Sequence, residues 1–278
     1  MINFNGIYTD SDQQISVFNR SFLYGDGVFE TLKVKDGKIL FFEDHYFRLL
    51  ASMRIVRMQI PITFTYEYLE GQVVGLVQQL HIQDSARVRI TVFRNEGGFY
   101  TPTINSVSFV IQAVGLENKE YQMDNMPYEV DLYKDFTIAK QLLSTLKTTN
   151  KIIQVTAGIF AHENDLDSCL LLNEDKNVAE AVNGNVFMLM NRQLITPPLT
   201  EGALNGVMRK QILTLAKQMD EIEVIQKEIS PFDLQKADEL FLTNVITGIQ
   251  PITKYRKREF ETAFSKKLLK KLNESIAV

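Results

Sequence analysis

Gly25-Asp26-Gly27-Val28-Phe29-Glu30-Thr31-Leu32-Lys33-Val34-Lys35-Asp36-Gly37-Lys38 is the stretch that decides how this chain begins to fold. The β-branched and aromatic residues between Val28 and Val34 predict a strand. Asp36-Gly37 then predicts a two-residue hairpin turn, since both residue types accept the positive φ that such a turn requires. Lys38 to Phe41 is the expected returning strand. Working outward, Phe47, Leu50, Met53 and Arg54 carry a helical period that runs on to Pro61. A second helix is expected over Tyr66 to Leu80. Strands follow at Ala86 to Phe93 and Ser106 to Val114, with Gly97-Gly98 in the loop between them. This part reads as α+β, with strands paired through hairpins.

The polar stretch from Gly115 to Asn125 lacks periodicity and reads as a linker. The expected division is a smaller domain over 1–117, a linker over 118–125 and a larger domain over 126–278. The second domain is expected to hold a strand near Tyr128 to Leu132, a helix after Lys147, and short strands at Leu170–Leu172, Val186–Met190 and Gln193–Ile195. Helices are expected at Asn205 to Gln218 and Phe260 to Asn273. The fold class is therefore α+β in two domains.

Bulk properties exclude several functions. The chain has 278 residues, 45% hydrophobic and 23% charged, a formal net charge of −4 and a pI of about 5.6. A nucleic-acid binder is expected to be basic, so none is expected here. No apolar run approaches the roughly 20 residues a membrane helix needs, and Met1 to Asp10 does not read as a signal peptide. The single cysteine, Cys169, cannot pair within the chain, which fits a reducing cytoplasm. The sequons at Asn19 and Asn273 then carry no meaning. One cysteine and three scattered histidines (His45, His81, His162) make a zinc site unexpected. Glycine-rich nucleotide loops and a GxSxG nucleophile elbow are absent.

What remains is an ordered set of blocks: Phe22-Leu23-Tyr24-Gly25-Asp26-Gly27-Val28-Phe29-Glu30-Thr31-Leu32, His45-Tyr46-Phe47-Arg48-Leu49, Ala86-Arg87-Val88-Arg89-Ile90-Thr91, Leu146-Lys147-Thr148-Thr149-Asn150, Glu180-Ala181-Val182-Asn183-Gly184-Asn185-Val186-Phe187, Thr196-Pro197, Gly206-Val207-Met208-Arg209 and Ala237-Asp238-Glu239. Each is weak alone. Together, in this order, they resemble the class-IV aminotransferases, a pyridoxal 5'-phosphate (PLP) family that includes branched-chain and D-amino-acid aminotransferases and 4-amino-4-deoxychorismate lyase. The resemblance implies a two-domain fold, the cofactor between the domains and a homodimer.

It also implies residue roles. Lys147 would be the Schiff-base lysine and would then shuttle a proton; partial burial favours the neutral amine this needs. Glu180 would face the pyridine nitrogen and keep it protonated, improving the electron sink. Arg48 would bind the phosphate through its planar fork, together with main-chain N–H groups of Gly206, Val207 and Met208 at a helix start. Asn244 and Val245 fall in a later phosphate-binding block. Phe29, Arg94 and Lys151 are candidate substrate contacts. Phe29 and Glu30 would both point toward the cofactor face, with packing in the strand core as the alternative. Tyr24, Asp26 and Asn185 would be supporting residues, and His45 would cap or orient its helix without catalysing.

Departures from the aminotransferase pattern select within the family. Lys151 stands where branched-chain aminotransferases place a tyrosine, Met208 where they place a threonine, and Val245 where they place a phosphate-binding threonine. All three resemble the lyases. The loop Arg94-Asn95-Glu96-Gly97-Gly98-Phe99-Tyr100-Thr101-Pro102 lacks the histidine of the D-amino-acid enzymes and has Phe99 where the lyases have arginine. The leading expectation is 4-amino-4-deoxychorismate lyase, releasing pyruvate and forming 4-aminobenzoate for folate biosynthesis. The alternative is an aminotransferase for branched-chain or related amino acids. A non-catalytic, PLP-binding homologue is a third reading, disfavoured by Lys147 and Glu180 together.

Overall fold

Alternation along β3 (Gly27–Lys35) sets up the first unit. Successive side chains of a strand point to opposite faces. Val28, Leu32 and Val34 therefore share one face and enter a buried cluster, whereas Phe29, Thr31 and Lys33 lie on the other. The computed structural model describes residues 1–10, 15–124 and 126–277. The chain divides into two units: Met1–Lys119 with Lys147–Asn150, and Glu120–Leu146 with Lys151–Val278. Lys147 to Asn150 thus group with the N-terminal part, although the sequence reading placed them in the C-terminal domain. Residues 118–124 of the expected linker are divided between the units, and Asn125 lies outside the described residues.

In chain order the first unit holds β1 (Ile2–Phe4), β2 (Ile7–Thr9), α1 (Arg20–Tyr24), β3, β4 (Lys38–Ile39), α2 (Phe42–Ile55), α3 (Tyr66–Gln79), β5 (Ser85–Arg94) and β6 (Val107–Gly115). Its strands form one antiparallel sheet in the order β2-β1-β6-β5-β3-β4. The Asp36-Gly37 turn has φ of 49° and 74°, the geometry its residue types predict. The helices α2 and α3 cover the Val28 face: Leu49, Met53, Leu69, Val73 and Leu76 meet Val88, Ile90 and Val92 there. α2 starts five residues before the periodic stretch and stops at Ile55, not near Pro61. Val56 caps it and Arg57 takes a positive φ of 59°, which breaks the helix before the proline is reached.

The second unit holds β7 (Glu129–Ile138), α4 (Ile152–Glu163), β8 (Ser168–Asn173), β9 (Val178–Ala181), β10 (Asn185–Met190), β11 (Gln193–Thr196), α5 (Val207–Ala216), β12 (Glu223–Gln226), α6 (Pro231–Leu234), β13 (Glu239–Asn244), β14 (Gly248–Ile252), β15 (Lys254–Tyr255), β16 (Arg258–Glu259) and α7 (Ala263–Ser275). Two mixed sheets run β12-β11-β10-β13-β14 and β16-β15-β7-β8-β9. The fully buried β8 carries a continuous apolar run, Cys169-Leu170-Leu171-Leu172, between buried Ser168 and Asn173, because both its faces are covered. The helix after Lys147 begins at Ile152, and α5 and α7 lie within three residues of their expected bounds. The hairpin of β13 and β14 is new relative to the sequence reading. Among the described residues, no helix is long and apolar enough to cross a membrane.

Candidate active site

Lys147 is strung alongside β3. The Phe29 N–H donates to the Lys147 carbonyl at 2.8 Å, and the Thr149 N–H donates to the Gly27 carbonyl at 2.9 Å. Two main-chain bonds therefore fix the lysine by its backbone and leave its side chain to the face that Phe29 shares. The Lys147 Nζ sits 4.6 Å from the centre of the Phe29 ring. Arg89, on β5, lies over the same ring with its guanidinium carbon 3.7 Å from the centre. Register explains the meeting: Phe29 pairs with Thr91 and Thr31 with Arg89, so Arg89 is the diagonal neighbour of Phe29 on one face. Burial, with Arg87 adding to it, lowers the Arg89 pKa from its ordinary value.

Glu30 takes the opposite face and enters the apolar layer beneath α2. Its carboxylate accepts from His45 Nδ1 at 2.7 Å, and from Arg48 Nε at 2.8 Å and Nη2 at 2.5 Å. His45 and Arg48 are three residues apart and so present one helix face. Burial alone would raise the Glu30 pKa. The Arg48 charge and the bonds from His45 and Arg48 overcome it and bring the carboxyl down to about 2. Burial lowers the His45 pKa; its bond to Glu30 opposes the shift, while the Arg48 and Lys147 cations add to it. His45 Nε2 has no hydrogen-bond partner among the described residues. The hydrogen-bond network therefore assigns the ring hydrogen to Nδ1, donated to Glu30. Glu30 thus turns away from the Phe29 face, contrary to the expectation that both residues look to the cofactor. It holds Arg48 by two parallel bonds, the strong geometry for this pair.

In the second unit, Glu180 on β9 is held at both oxygens. Gln154 Nε2 donates to Oε1 at 3.1 Å and the Leu204 N–H donates to Oε2 at 2.9 Å. The Leu204 carbonyl in turn accepts from Asn185 Nδ2 at 2.8 Å. Two residues later, Gly206 caps α5 with no side-chain acceptor for the first helical N–H groups. A Cβ at Gly206 would collide with Asn185 Oδ1, so the bare helix start is enforced. Main-chain donors at such a terminus suit a phosphate. The remaining phosphate candidates, Asn244 and Val245, lie in the β13–β14 turn, where Asn244 Oδ1 accepts from the Ile246 and Thr247 N–H groups at 3.0 Å each. A backbone-held lysine, a doubly held carboxylate and a side-chain-free helix start have the chemistry that PLP requires of its site.

One further expectation changes. Arg94 is buried and committed elsewhere. Its Nε donates to Asp26 at 2.9 Å, its Nη1 to the Arg57 carbonyl and Asn105, and its Nη2 to the Val56 carbonyl at 2.7 Å. It braces the β5 terminus and is not placed as a substrate-carboxylate ligand. Asp26 is shared with Arg20, whose Nη1 is within hydrogen-bond distance of the carbonyls of Gly97, Gly98 and Phe99. Arg89 takes the cationic position on the Phe29 face instead. In the sequence Arg89 stands only within a block, because its parity with Phe29 depends on a cross-strand register. Lys151 occupies the N-cap of α4. Tyr24 brings its ring 5.7 Å from Tyr100 and serves the Gly97–Tyr100 loop. Among the described residues, no group of three His, Cys, Asp or Glu could hold a metal ion.

Residues 27–255 match the model of the family described as amino-transferase class IV. A protein of Methanocaldococcus jannaschii named "Putative branched-chain-amino-acid aminotransferase" is 29% identical, covering 98% of this chain and 94% of that one. An aminodeoxychorismate lyase of Bacillus subtilis is 28% identical, covering 91% and 86%. The branched-chain amino acid aminotransferase of T.th., complexed with N-(5'-phosphopyridoxyl)-L-glutamate, superposes with a TM-score of 0.85 at 21% identity, covering 97% and 91%, which bears on fold alone.

Proposed function

The chain belongs to the amino-transferase class IV family, and from that premise we propose that it is a PLP-dependent lyase, 4-amino-4-deoxychorismate lyase, that releases pyruvate and 4-aminobenzoate. The observation that carries the choice is the trio Lys151, Met208 and Val245, which lacks the hydroxyl groups the aminotransferases place there. Relatives bearing the lyase name support it.

When bound, PLP supplies an electron sink for negative charge at the amino-bearing carbon. This chain supplies the rest. Lys147 Nζ takes the proton from that carbon. The substrate's atoms divide between the two products with no water consumed, so a proton returns to the departing enolpyruvyl group as it becomes pyruvate. Glu180, fixed by Gln154 and Leu204, holds a proton on the pyridine nitrogen. The N–H groups of Val207 and Met208, with the Asn244–Val245 turn, bind the phosphate; the expected third donor, the Gly206 N–H, is taken by the Leu204 carbonyl at 2.8 Å. Arg48, its fork set by Glu30, adds the cation. Phe29 forms an apolar floor beside the lysine, and Arg89 above it attracts a substrate carboxylate.

Incubating the protein and PLP with 4-amino-4-deoxychorismate, coupled to lactate dehydrogenase, tests the lyase. Pyruvate should accumulate in step with 4-aminobenzoate; no pyruvate would overturn the choice. The second reading, transamination of a branched-chain or related amino acid, is favoured by the Methanocaldococcus relative. Consumption of leucine that depends on 2-oxoglutarate would establish it. We also infer a cytoplasmic homodimer. Phe22, Phe99 and Tyr100 in the first unit, and Ile152, Val155 and Ile159 along one stripe of α4 in the second, expose apolar surface suited to a second copy. Sedimentation at a dimer's mass is the expected result.

A further inference from the structure

Tyr121 is nearly fully buried at 2% exposure, at the start of the second unit, and both its hydroxyl and its ring bear on one turn. The hydroxyl donates to the Val245 carbonyl at 2.9 Å. The N–H of that same peptide, on Ile246, is taken by Asn244 Oδ1 at 3.0 Å. The Val245–Ile246 peptide plane is therefore held at both ends by side chains and cannot flip. Gly248 follows with a φ of +73°, and a Cβ there would lie 2.8 Å from Tyr121 Cγ, so the ring is seated against the returning strand. Tyr121 is itself immobilised by α7: its N–H donates to Asn273 Oδ1 at 3.1 Å and its carbonyl accepts from Asn273 Nδ2 at 2.8 Å. Burial raises the phenol pKa well above its ordinary value, so the hydroxyl remains a donor at working pH.

A hairpin turn needs no such brace to exist; Asn244 and Gly248 already satisfy its local chemistry. The brace has a use where the turn must present its main chain in one orientation. We propose that Tyr121 is a positioning residue for the Asn244–Val245 turn: with the Val245 carbonyl held by Tyr121 and the Ile246 and Thr247 N–H groups taken by Asn244, the preceding N–H, on Val245, is the donor fixed in place for the cofactor phosphate. This replaces, by orientation, what a threonine hydroxyl at Val245 would add by direct contact. The inference rests on the assignment of Asn244–Val245 to the phosphate.

The test compares PLP with pyridoxal, which lacks the phosphate, on the full-length apoprotein by equilibrium dialysis. Tyr121→Phe keeps the ring against Gly248 and removes only the hydroxyl. A hydrogen bond is worth on the order of 1 kcal/mol, so PLP should bind about fivefold more weakly, while pyridoxal binding stays within twofold. A broadened or shifted ³¹P resonance of bound PLP should accompany the loss. Equal weakening of both ligands, or no change in either, would overturn the proposal. Val245→Thr separates it from the reading beneath. If that variant strengthens PLP alone while Tyr121→Phe has no selective effect, the turn binds phosphate and the role of Tyr121 is wrong. If neither substitution distinguishes PLP from pyridoxal, the turn is not a phosphate site.

Discussion

The Lys147 carbonyl accepts the Phe29 N–H at 2.8 Å, so the proposed catalytic lysine is anchored through its own peptide to the strand whose side chain floors its amine. This anchoring uses no lysine side-chain atom. Lys147→Ala should therefore keep the fold. Turnover should fall by about 10³-fold or more, the scale on which a positioned acid–base group acts. Borohydride reduction followed by peptide mass mapping checks the assignment directly. Wild type should carry the cofactor's mass on the peptide containing Lys147, and the variant should carry none; reduction onto another lysine would refute the role.

Glu30 links the same strand to acid stability. Its folded carboxyl is lowered from 4.5 to about 2, so the ionised form is favoured in the fold. That contribution is complete above the unfolded value and is lost as pH falls through about 2. His45 acts in the same direction. Its folded pKa lies below 6.5, so protonation favours the unfolded chain and stability declines as pH drops beneath that value. Urea titrations should show stability falling first below about pH 6.5 and again below about pH 4.5. Glu30→Gln should remove the second step. It should also cost about 3–5 kcal/mol at pH 7, the scale for leaving a buried cation without its partner.

Arg94 separates a structural from a binding role. Its donors go to Asp26, Asn105 and the carbonyls of Val56 and Arg57. Arg94→Met should destabilise by about 3 kcal/mol, since Asp26 and several carbonyls lose a buried charged partner. KM of the folded fraction should change less than twofold. A large rise in KM with an unchanged melting temperature would return Arg94 to the substrate.

Arg89 should show the reverse. Its guanidinium lies 3.7 Å over the Phe29 ring, on the face where the Lys147 amine lies. Arg89→Met should raise KM for a carboxylate-bearing substrate by about tenfold or more, with cofactor affinity and melting temperature nearly unchanged. Lost charge complementarity acts on the ligand, not the core. Unaltered KM would remove Arg89 from the site.

The sequence by itself determined the family, through short blocks whose order survives any uncertainty about element bounds. It also determined the Asp36-Gly37 hairpin and, to within two residues, the start of α5, because turn and cap chemistry is local and reads within a few residues. The tertiary structure alone decided which side chains meet. Phe29 and Glu30 are neighbours in sequence, yet one joins Lys147 and Arg89 while the other joins His45 and Arg48. That separation follows from the two-residue period of a strand and from which face α2 covers. Arg94 and Arg89 have the same chemistry at the level of residue type; the register of β5 against β3, and the carbonyls at the end of α2, assign one to the frame and the other to the face of the lysine. The partnership of Tyr121 with Val245 joins residues 124 positions apart, and no local signal announces it. Long-range pairings of this kind depend on how strands and helices stack, a property of the whole chain that short sequence windows do not carry.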